Sequence, residues 1–365
     1  MTKIKIFDLK EQYKTIAKEI NENVTNILSS GQYILGNNVK LLEENFAKHV
    51  GAKYAISCNS GTDALLLSLR ALGIGKGDEV ITTPFTYFAT AEVIALVGAK
   101  PIFADINPHT FNINHKLIES LINKKTKAIM PVHLYGQSCE ITKIRNICKK
   151  NKIALVEDCA QSFGAKFNGK HTGTFGDFGC YSFFPTKNLG CAGDGGMIVT
   201  NNLGKSKILK KLRNHGGLVR NVHEYIGYNS RLDEIQASIL VTKLKIINKL
   251  NESRIKIAEN YKKLINNKNV KVPYQAKSSY HVYNQFTLRV KKRTRFIAHL
   301  EKHSIPYGIY YPIPIYKQKA FKEFNYKCNL SNVNTITKEC ISIPIYPELD
   351  KNSFNKIVEV INKYK

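Results

Sequence analysis

The sequence predicts an α/β protein: a mostly parallel sheet covered on both faces, followed by a smaller α+β domain. Three observations carry this. The chain has 365 residues, enough for about two domains. Between residues 53 and 200, short apolar and β-branched runs alternate with helical patterns, the signature of βαβ units. After about residue 230 the texture changes to a long, Lys-rich helical stretch and then to mixed short elements.

The elements follow in order. Gln12 to Ser29 carries Ile16, Ile20, Val24 and Leu28 at helical spacing, and Gly31 stops that helix. A second helix runs from Val39 to Val50 and closes at Gly51. Strands are expected at Lys53–Cys58, Glu79–Thr83, Pro101–Asp105, Lys127–Val132 and Ile153–Glu157, then at Phe178–Phe184 and Gly196–Thr200. Helices at Asp63–Leu72, Ala89–Val97 and Ile141–Asn151 lie between them. Beyond, Leu232 to about Leu264 reads as one helix. Asn284–Val290 reads as a strand and Arg295–His303 as a helix, with a last helix after Pro347. In such sheets ligands bind at the carboxyl ends of the strands.

Charge narrows the function. Lys and Arg number 55 against 28 Asp and Glu, a net charge of +27. The excess is mostly Lys spread through solvated runs such as Lys205–Arg213, Lys243–Lys249 and Lys291–Arg295. That pattern reads as a basic surface that steers small polyanions rather than a nucleic-acid groove. No apolar stretch approaches a membrane span, and Met1 to Lys10 has no signal-type apolar region, so a cytoplasmic protein is expected. The eight cysteines form no C-x-x-C pair and no zinc spacing, so reduced thiols and no metal are expected.

Three motifs carry chemistry. Ser60-Gly61-Thr62-Asp63 lies between a strand and a helix, where free N–H groups and the helix dipole favour a phosphate; the same residues also suit a plain N-cap. Asp158 stands at the end of an apolar strand, facing the ligand crevice or capping a helix. Lys187 follows a strand in an apolar, Gly-rich setting, unlike the other lysines. Desolvation there lowers an amine's pKa and leaves it neutral and nucleophilic. A phosphate cup, an acid and an amine are the parts that pyridoxal phosphate needs. The amine joins the aldehyde, the acid keeps the ring nitrogen protonated and the cup anchors the phosphate.

These motifs are part of a longer series. Gly31-Gln32-Tyr33-Ile34-Leu35-Gly36, Asn59 to Leu65, Pro131 to Gly136, Glu157 to Ser162, Ser182 to Lys187, Asn229 to Asp233 and Tyr311-Pro312-Ile313-Pro314 stand in sequence. The chain therefore resembles the DegT/StrS-type nucleotide-sugar aminotransferases, a branch of the fold-type I aspartate aminotransferase superfamily. The resemblance implies a large domain over residues 1–240 with a mostly parallel seven-stranded sheet, and a small domain over 241–365 on which helix 12–29 packs. Lys187 matches the Schiff-base lysine, Asp158 the pyridine-nitrogen partner and Gln161 the residue beside the ring hydroxyl. Gly61, Thr62 and Ser182 match phosphate ligands, and Tyr87 the aromatic that stacks on the ring. Asn229 matches a phosphate contact from a neighbouring subunit, which implies a homodimer with shared sites. Arg231, Tyr310 and Tyr311 match positions lining the sugar pocket. His215 and His281 fall in familiar segments and read as scaffold histidines.

Dehydratase relatives carry His in place of the lysine, so Lys187 points to amino transfer from glutamate. The stretch Cys180–Gly196 resembles most the enzymes that aminate a UDP-2-acetamido-3-keto sugar or hexuronate. Enzymes acting on dTDP-linked 3-keto or on 4-keto-6-deoxy sugars are the alternative, and a cofactor-binding regulator a remote one. The relatives often read His-Tyr-Pro-Ile-Pro, whereas Tyr310 precedes Tyr311 here. A tyrosine offers a neutral hydrogen bond and no cation at neutral pH.

Overall fold

The computed structural model describes residues 4–326, 328 and 330–365, so Met1, Thr2 and Lys3 of the N-terminal stretch read above lie outside the described residues. Helices α1 (Leu9–Ser30) and α2 (Asn37–Val50) lead into β1 (Tyr54–Cys58), α3 (Gly61–Ala71), β2 (Glu79–Thr82), α4 (Ala89–Leu96) and β3 (Lys100–Phe103). Next come β4 (Thr126–Met130), α5 (Ile141–Asn151), β5 (Ala154–Asp158) and the short pair β6 (Lys166–Phe167) and β7 (Lys170–His171). β8 (Phe178–Ser182), β9 (Gly196–Thr200), α6 (Leu203–Leu212) and the long α7 (Glu234–Leu264) follow. The remainder is β10 (Ser279–Tyr280), β11 (Phe286–Arg289), α8 (Arg293–Lys302), α9 (Ser331–Glu339), β12 (Cys340–Ile343) and α10 (Lys351–Asn362).

The central sheet has seven strands in the order β1-β9-β8-β5-β4-β2-β3. Only β9 runs against its neighbours, β1 and β8; the other pairings are parallel. This is the fold class expected from the alternating pattern. Alternate residues of the strands feed opposite cores, as period-two geometry requires. Ile56, Val156, Cys180 and Ile198 pack under α3 and α6. Ala55, Tyr181, Met197 and Val199 pack against α2 and the first half of α7. Leu155 and Ile129 meet α5.

A separate core gathers β11, β12, α8 and α10 around Tyr261, Phe286, Phe296 and Ile343. α7 is continuous between the two cores: Leu240 and Ile247 belong to the first, Ala258 and Tyr261 to the second. α1 lies against α7, with Asn23 bonded to Thr242, and Glu19 accepting from Thr242 and Lys245. Its buried line runs through Gln12, Ile20 and Ile27, while Leu28 is exposed, so the expected face is shifted by one residue near its end.

Helix ends match the stop signals. Gly31 and Gly51 adopt left-handed φ values of 69° and 76° just beyond α1 and α2. Several elements were not legible in the sequence: α6, read there as a charge run, α9, the β6–β7 hairpin, β10 and β12. The first is amphipathic but Lys-rich, and buries Leu209 and Leu212.

Candidate active site

Strand register builds the site. Gly196 pairs with Cys58 on one side and Ser182 on the other, and Asp158 pairs with Cys180. The carboxyl ends of β1, β5 and β8 therefore finish together. They open on a cleft of about 530 Å³.

On one wall, Ser60 caps α3 by accepting from the Asp63 N–H at 3.0 Å. The N-cap reading of this motif holds, and the cap stands on the cleft. The Gly61 and Thr62 N–H groups, in the first turn of α3, have no helical acceptor upstream. Gly61 touches β8 so closely that a Cβ would lie 2.5 Å from Ser182 Cβ. The result is a backbone cradle with hydroxyls beside it, suited to an anion.

On the floor, Asp158 is 4% exposed. Its Oδ2 accepts from Thr90 Oγ1 at 2.8 Å and its Oδ1 from the Ala160 N–H at 3.0 Å. Burial raises its pKa; the Ala160 and Thr90 bonds, Lys187 and His133 oppose that rise. Two bonds leave capacity on a carboxylate that can accept about four.

Lys187 rises from the turn after β8, with its own N–H donating to Phe184 O at 2.8 Å. Burial lowers its pKa to about 8, and the Asp158 charge only partly offsets this. At pH 7 about a tenth of such amines are neutral, against well under a thousandth at the ordinary value.

Gln161 bridges the opposite wall. Its Oε1 accepts from the Tyr135 N–H at 2.9 Å and its Nε2 donates to Tyr311 Oη at 2.7 Å. The Tyr311 ring lies 6.4 Å from that of Tyr87, which is 62% exposed at the mouth. Tyr310 also lines the cleft, and its carbonyl accepts from Tyr135 Oη.

Nine of the residues singled out in the sequence thus meet in one cleft: Gly61, Thr62, Tyr87, Asp158, Gln161, Ser182, Lys187, Tyr310 and Tyr311. Asn229 and Arg231 do not. Asn229 is exposed on a loop bridged to Asn214, and Arg231 donates to Asn214 Oδ1 at 3.2 Å while its buried Nε has no partner. His215 is a loop residue with a φ of 55°. His281 is buried, stacks on Tyr283 at 3.8 Å and accepts from the Tyr283 N–H; burial lowers its pKa to about 3.

Sequence reasoning missed Thr90, Asn284, Gln285 and Asp194, which also line the cleft. Thr90 had a faint signal, one helical turn after Thr86, with which it shares a hydrogen bond. Asn284 had none. Behind the floor, His133, Glu157 and Cys159 bring potential ligand atoms within 4.8 Å. His133 Nε2 is 2.9 Å from Glu157, and its Nδ1 accepts from the Cys139 N–H. The Glu157 carboxylate also accepts from the N–H groups of Gly173, Phe175 and Gly176. Those bonds engage both His133 ring nitrogens and both Glu157 oxygens, and they brace β5 beneath Asp158.

The donor set fits pyridoxal phosphate: an anion cradle that a Cβ at Gly61 would fill, a buried acid with spare acceptor capacity and an amine with a lowered pKa in one cleft. Comparisons agree. The chain is 42% identical to a "pleiotropic regulatory protein" of Geobacillus stearothermophilus over 99% of this chain and 98% of that one. It is 42% identical to UDP-2-acetamido-2-deoxy-3-oxo-D-glucuronate aminotransferase of Pseudomonas aeruginosa, over 97% and 98%. It is 41% identical to dTDP-3-amino-3,6-dideoxy-alpha-D-galactopyranose transaminase of Aneurinibacillus thermoaerophilus, over 99% of both. The structure superposes on S. venezuelae DesV with a TM-score of 0.97 at 32% identity, covering 100% and 99% of the two chains. It superposes on ntda of Bacillus subtilis, solved with bound cofactor PMP, with a TM-score of 0.90 at 27% identity, covering 99% and 85%. No described helix is long and apolar enough to cross a membrane. With residues 14–362 matching its family description, the chain belongs to the DegT/DnrJ/EryC1/StrS aminotransferase family and is a pyridoxal-phosphate-dependent aminotransferase.

Proposed function

We propose that this enzyme moves an amino group from glutamate to carbon 3 of a UDP-2-acetamido-2-deoxy-3-keto hexose or hexuronate. The observation that carries the reading is the pairing of the Lys187 amine and the Asp158 carboxylate in one cleft, on a chain 42% identical to a 3-oxo-glucuronate aminotransferase. When bound, pyridoxal phosphate supplies an aldehyde that carries the amino group and a ring that accepts electrons from the adjacent carbon.

The chain's own residues do the rest. Gly61, Thr62 and Ser182 would hold the phosphate, and Tyr87 would pack on the ring. Asp158 keeps the ring nitrogen protonated, since a carboxylate beside a cation favours the charged pair. Gln161, fixed by Tyr135 and Tyr311, faces the ring hydroxyl. Lys187 would anchor the aldehyde, and its free Nζ would take the α-proton of glutamate. In the second half-reaction it delivers a proton to the sugar carbon that receives the nitrogen. A lysine with a pKa of about 8 is near the value such a shuttle needs.

Asn229 and Arg231 fit a homodimer in which each subunit completes its neighbour's site: both lie outside the cleft of their own chain. Exposed Leu218, Val219, Val222 and Ile226 on the same loop are apolar surface that a partner would cover. The basic surface suits a cytoplasmic enzyme that collects anionic sugar nucleotides. The amino sugar would serve surface-polysaccharide synthesis.

The 41% identity to a dTDP-sugar transaminase favours a second reading, a dTDP-3-keto-6-deoxyhexose substrate. Incubating the enzyme with glutamate and each keto sugar, and following 2-oxoglutarate, separates them. Turnover of the dTDP sugar alone would remove the UDP reading. Turnover of neither, with cofactor bound, would favour a regulator.

A further inference from the structure

Among the described residues Lys187 Nζ donates no hydrogen bond and joins no ion pair; the Asp158 charge acts on it through the cleft. Its placement is therefore set by its backbone and by whatever holds the residue next to it.

Asn188 is held at both polar atoms of its side chain. Its Nδ2 donates to Asn251 Oδ1 at 2.6 Å and to Val282 O at 3.1 Å, and its Oδ1 accepts from Asn284 Nδ2 at 3.0 Å. Asn251 Nδ2 donates in turn to Phe163 O at 3.2 Å. All three asparagines are buried, with exposures of 5%, 3% and 3% for Asn188, Asn251 and Asn284. The fit is close: a Cβ on Gly164 would lie 2.4 Å from Asn251 Nδ2. The turn is further fastened by Lys243 Nζ donating to Gly190 O at 2.7 Å.

The location of this chain of amides is informative. Asn251 stands on α7 between Ile247, in the sheet core, and Ala258, in the second core. Asn284 lines the cleft, one residue after Tyr283 and two before Phe286, both of the second core. Buried amides are costly unless satisfied, and a satisfied network rigidifies what it joins.

We propose that Asn188, Asn251 and Asn284 form a positioning device that fixes the Lys187 amine against Asp158 and ties that placement to the seam between the two cores. The proposal rests on the role given to Lys187 above. It makes these three side chains act through Lys187 without touching the substrate's reacting atoms.

The test uses full-length Asn251→Ala, Asn284→Ala and Asn251→Asp proteins, the last keeping an acceptor for Asn188. Each is checked for folding by its melting temperature. Cofactor-free protein is mixed with pyridoxal phosphate, reduced with borohydride, and the label on the Lys187 peptide is quantified with time. Folded alanine variants should trap at Lys187 about tenfold more slowly, because small misplacements of a reacting amine are costly. Their kcat should fall by a similar factor with both KM values within about twofold. Asn251→Asp, which keeps the acceptor for Asn188 but loses the donor to Phe163 O, should recover part of the loss. Wild-type trapping and kcat in folded alanine variants would overturn the proposal. Should Asn251→Ala not fold, Asn284→Ala, which removes only the end donor, carries the same criterion. A wild-type protein labelled at a residue other than Lys187 would overturn the assignment of Lys187 itself, a result distinct from failure of the network.

Discussion

Gly61 and Ser182 meet across the head of the sheet with no room for a side chain between them: a Cβ at position 61 would stand 2.5 Å from Ser182 Cβ. The contact brings the first turn of α3 against the end of β8, and so makes one anion cradle from two distant segments. Gly61→Ala forces Ser182 or the helix start to move. Its expected effect is a rise of at least about tenfold in the dissociation constant for pyridoxal phosphate, with a stability loss of about 1–3 kcal/mol. Equilibrium titration of cofactor-free protein measures the first and denaturant unfolding the second.

Replacing Lys187 by Ala removes the amine proposed as both anchor and proton carrier. Turnover of glutamate with keto sugar should fall by at least about a thousandfold, in the upper range of what a general acid–base group supplies. Borohydride should then leave no label on the 187 peptide. Lys187→Ala protein with ordinary turnover would refute the mechanism.

Asp158→Asn keeps the size of the side chain and removes its charge. Loss of the partner that stabilises the ring's positive nitrogen should lower kcat by about 10²–10³-fold, the scale for a lost electrostatic partner in a buried site. Lys187 should still become labelled, because the amine is untouched. Stopped-flow measurement of the glutamate half-reaction isolates this loss from sugar binding.

The lysine also sets a pH dependence in cofactor-free protein. Its folded pKa of about 8 lies below the unfolded value of about 10.4, because burial disfavours the charged form. The unfolded chain therefore binds more protons between those values, and stability rises with pH across that window. The penalty is fully present below pH 8 and is gone above the unfolded pKa. Relative to Lys187→Met, the wild-type protein should gain melting temperature on going from about pH 8 to about pH 10. A pH-independent difference would contradict this.

Tyr310 lines the cleft beside Tyr311 and, on the resemblance drawn from the sequence, stands where His is expected. Tyr310→His introduces a group that can be cationic near neutral pH. It should raise kcat/KM for a hexuronate substrate relative to the neutral hexose by about fivefold or more, from one charge-assisted hydrogen bond. An unchanged ratio would mean that position 310 does not meet the sugar carboxylate.

What the sequence determined by itself was local and repetitive. Alternating apolar runs, the glycines at 31 and 51, and the Ser60 cap follow from backbone periods and φ preferences that act over a few residues. The motifs at Gly61, Asp158 and Lys187, which the fold gathers in one cleft, were legible for the same reason, since each is a short strand-to-loop signal. Tertiary structure alone decided what stands opposite what. Thr90 on Asp158, Gln161 between Tyr135 and Tyr311, and Asn284 on Asn188 join residues 68, 26, 150 and 96 positions apart. Nothing in a local period encodes such meetings; they follow from strand order and from the packing of α7 in both cores. The same reason keeps Asn229 and Arg231 out of the cleft of their own chain. A motif fixes the residue type, whereas packing fixes which cavity it serves.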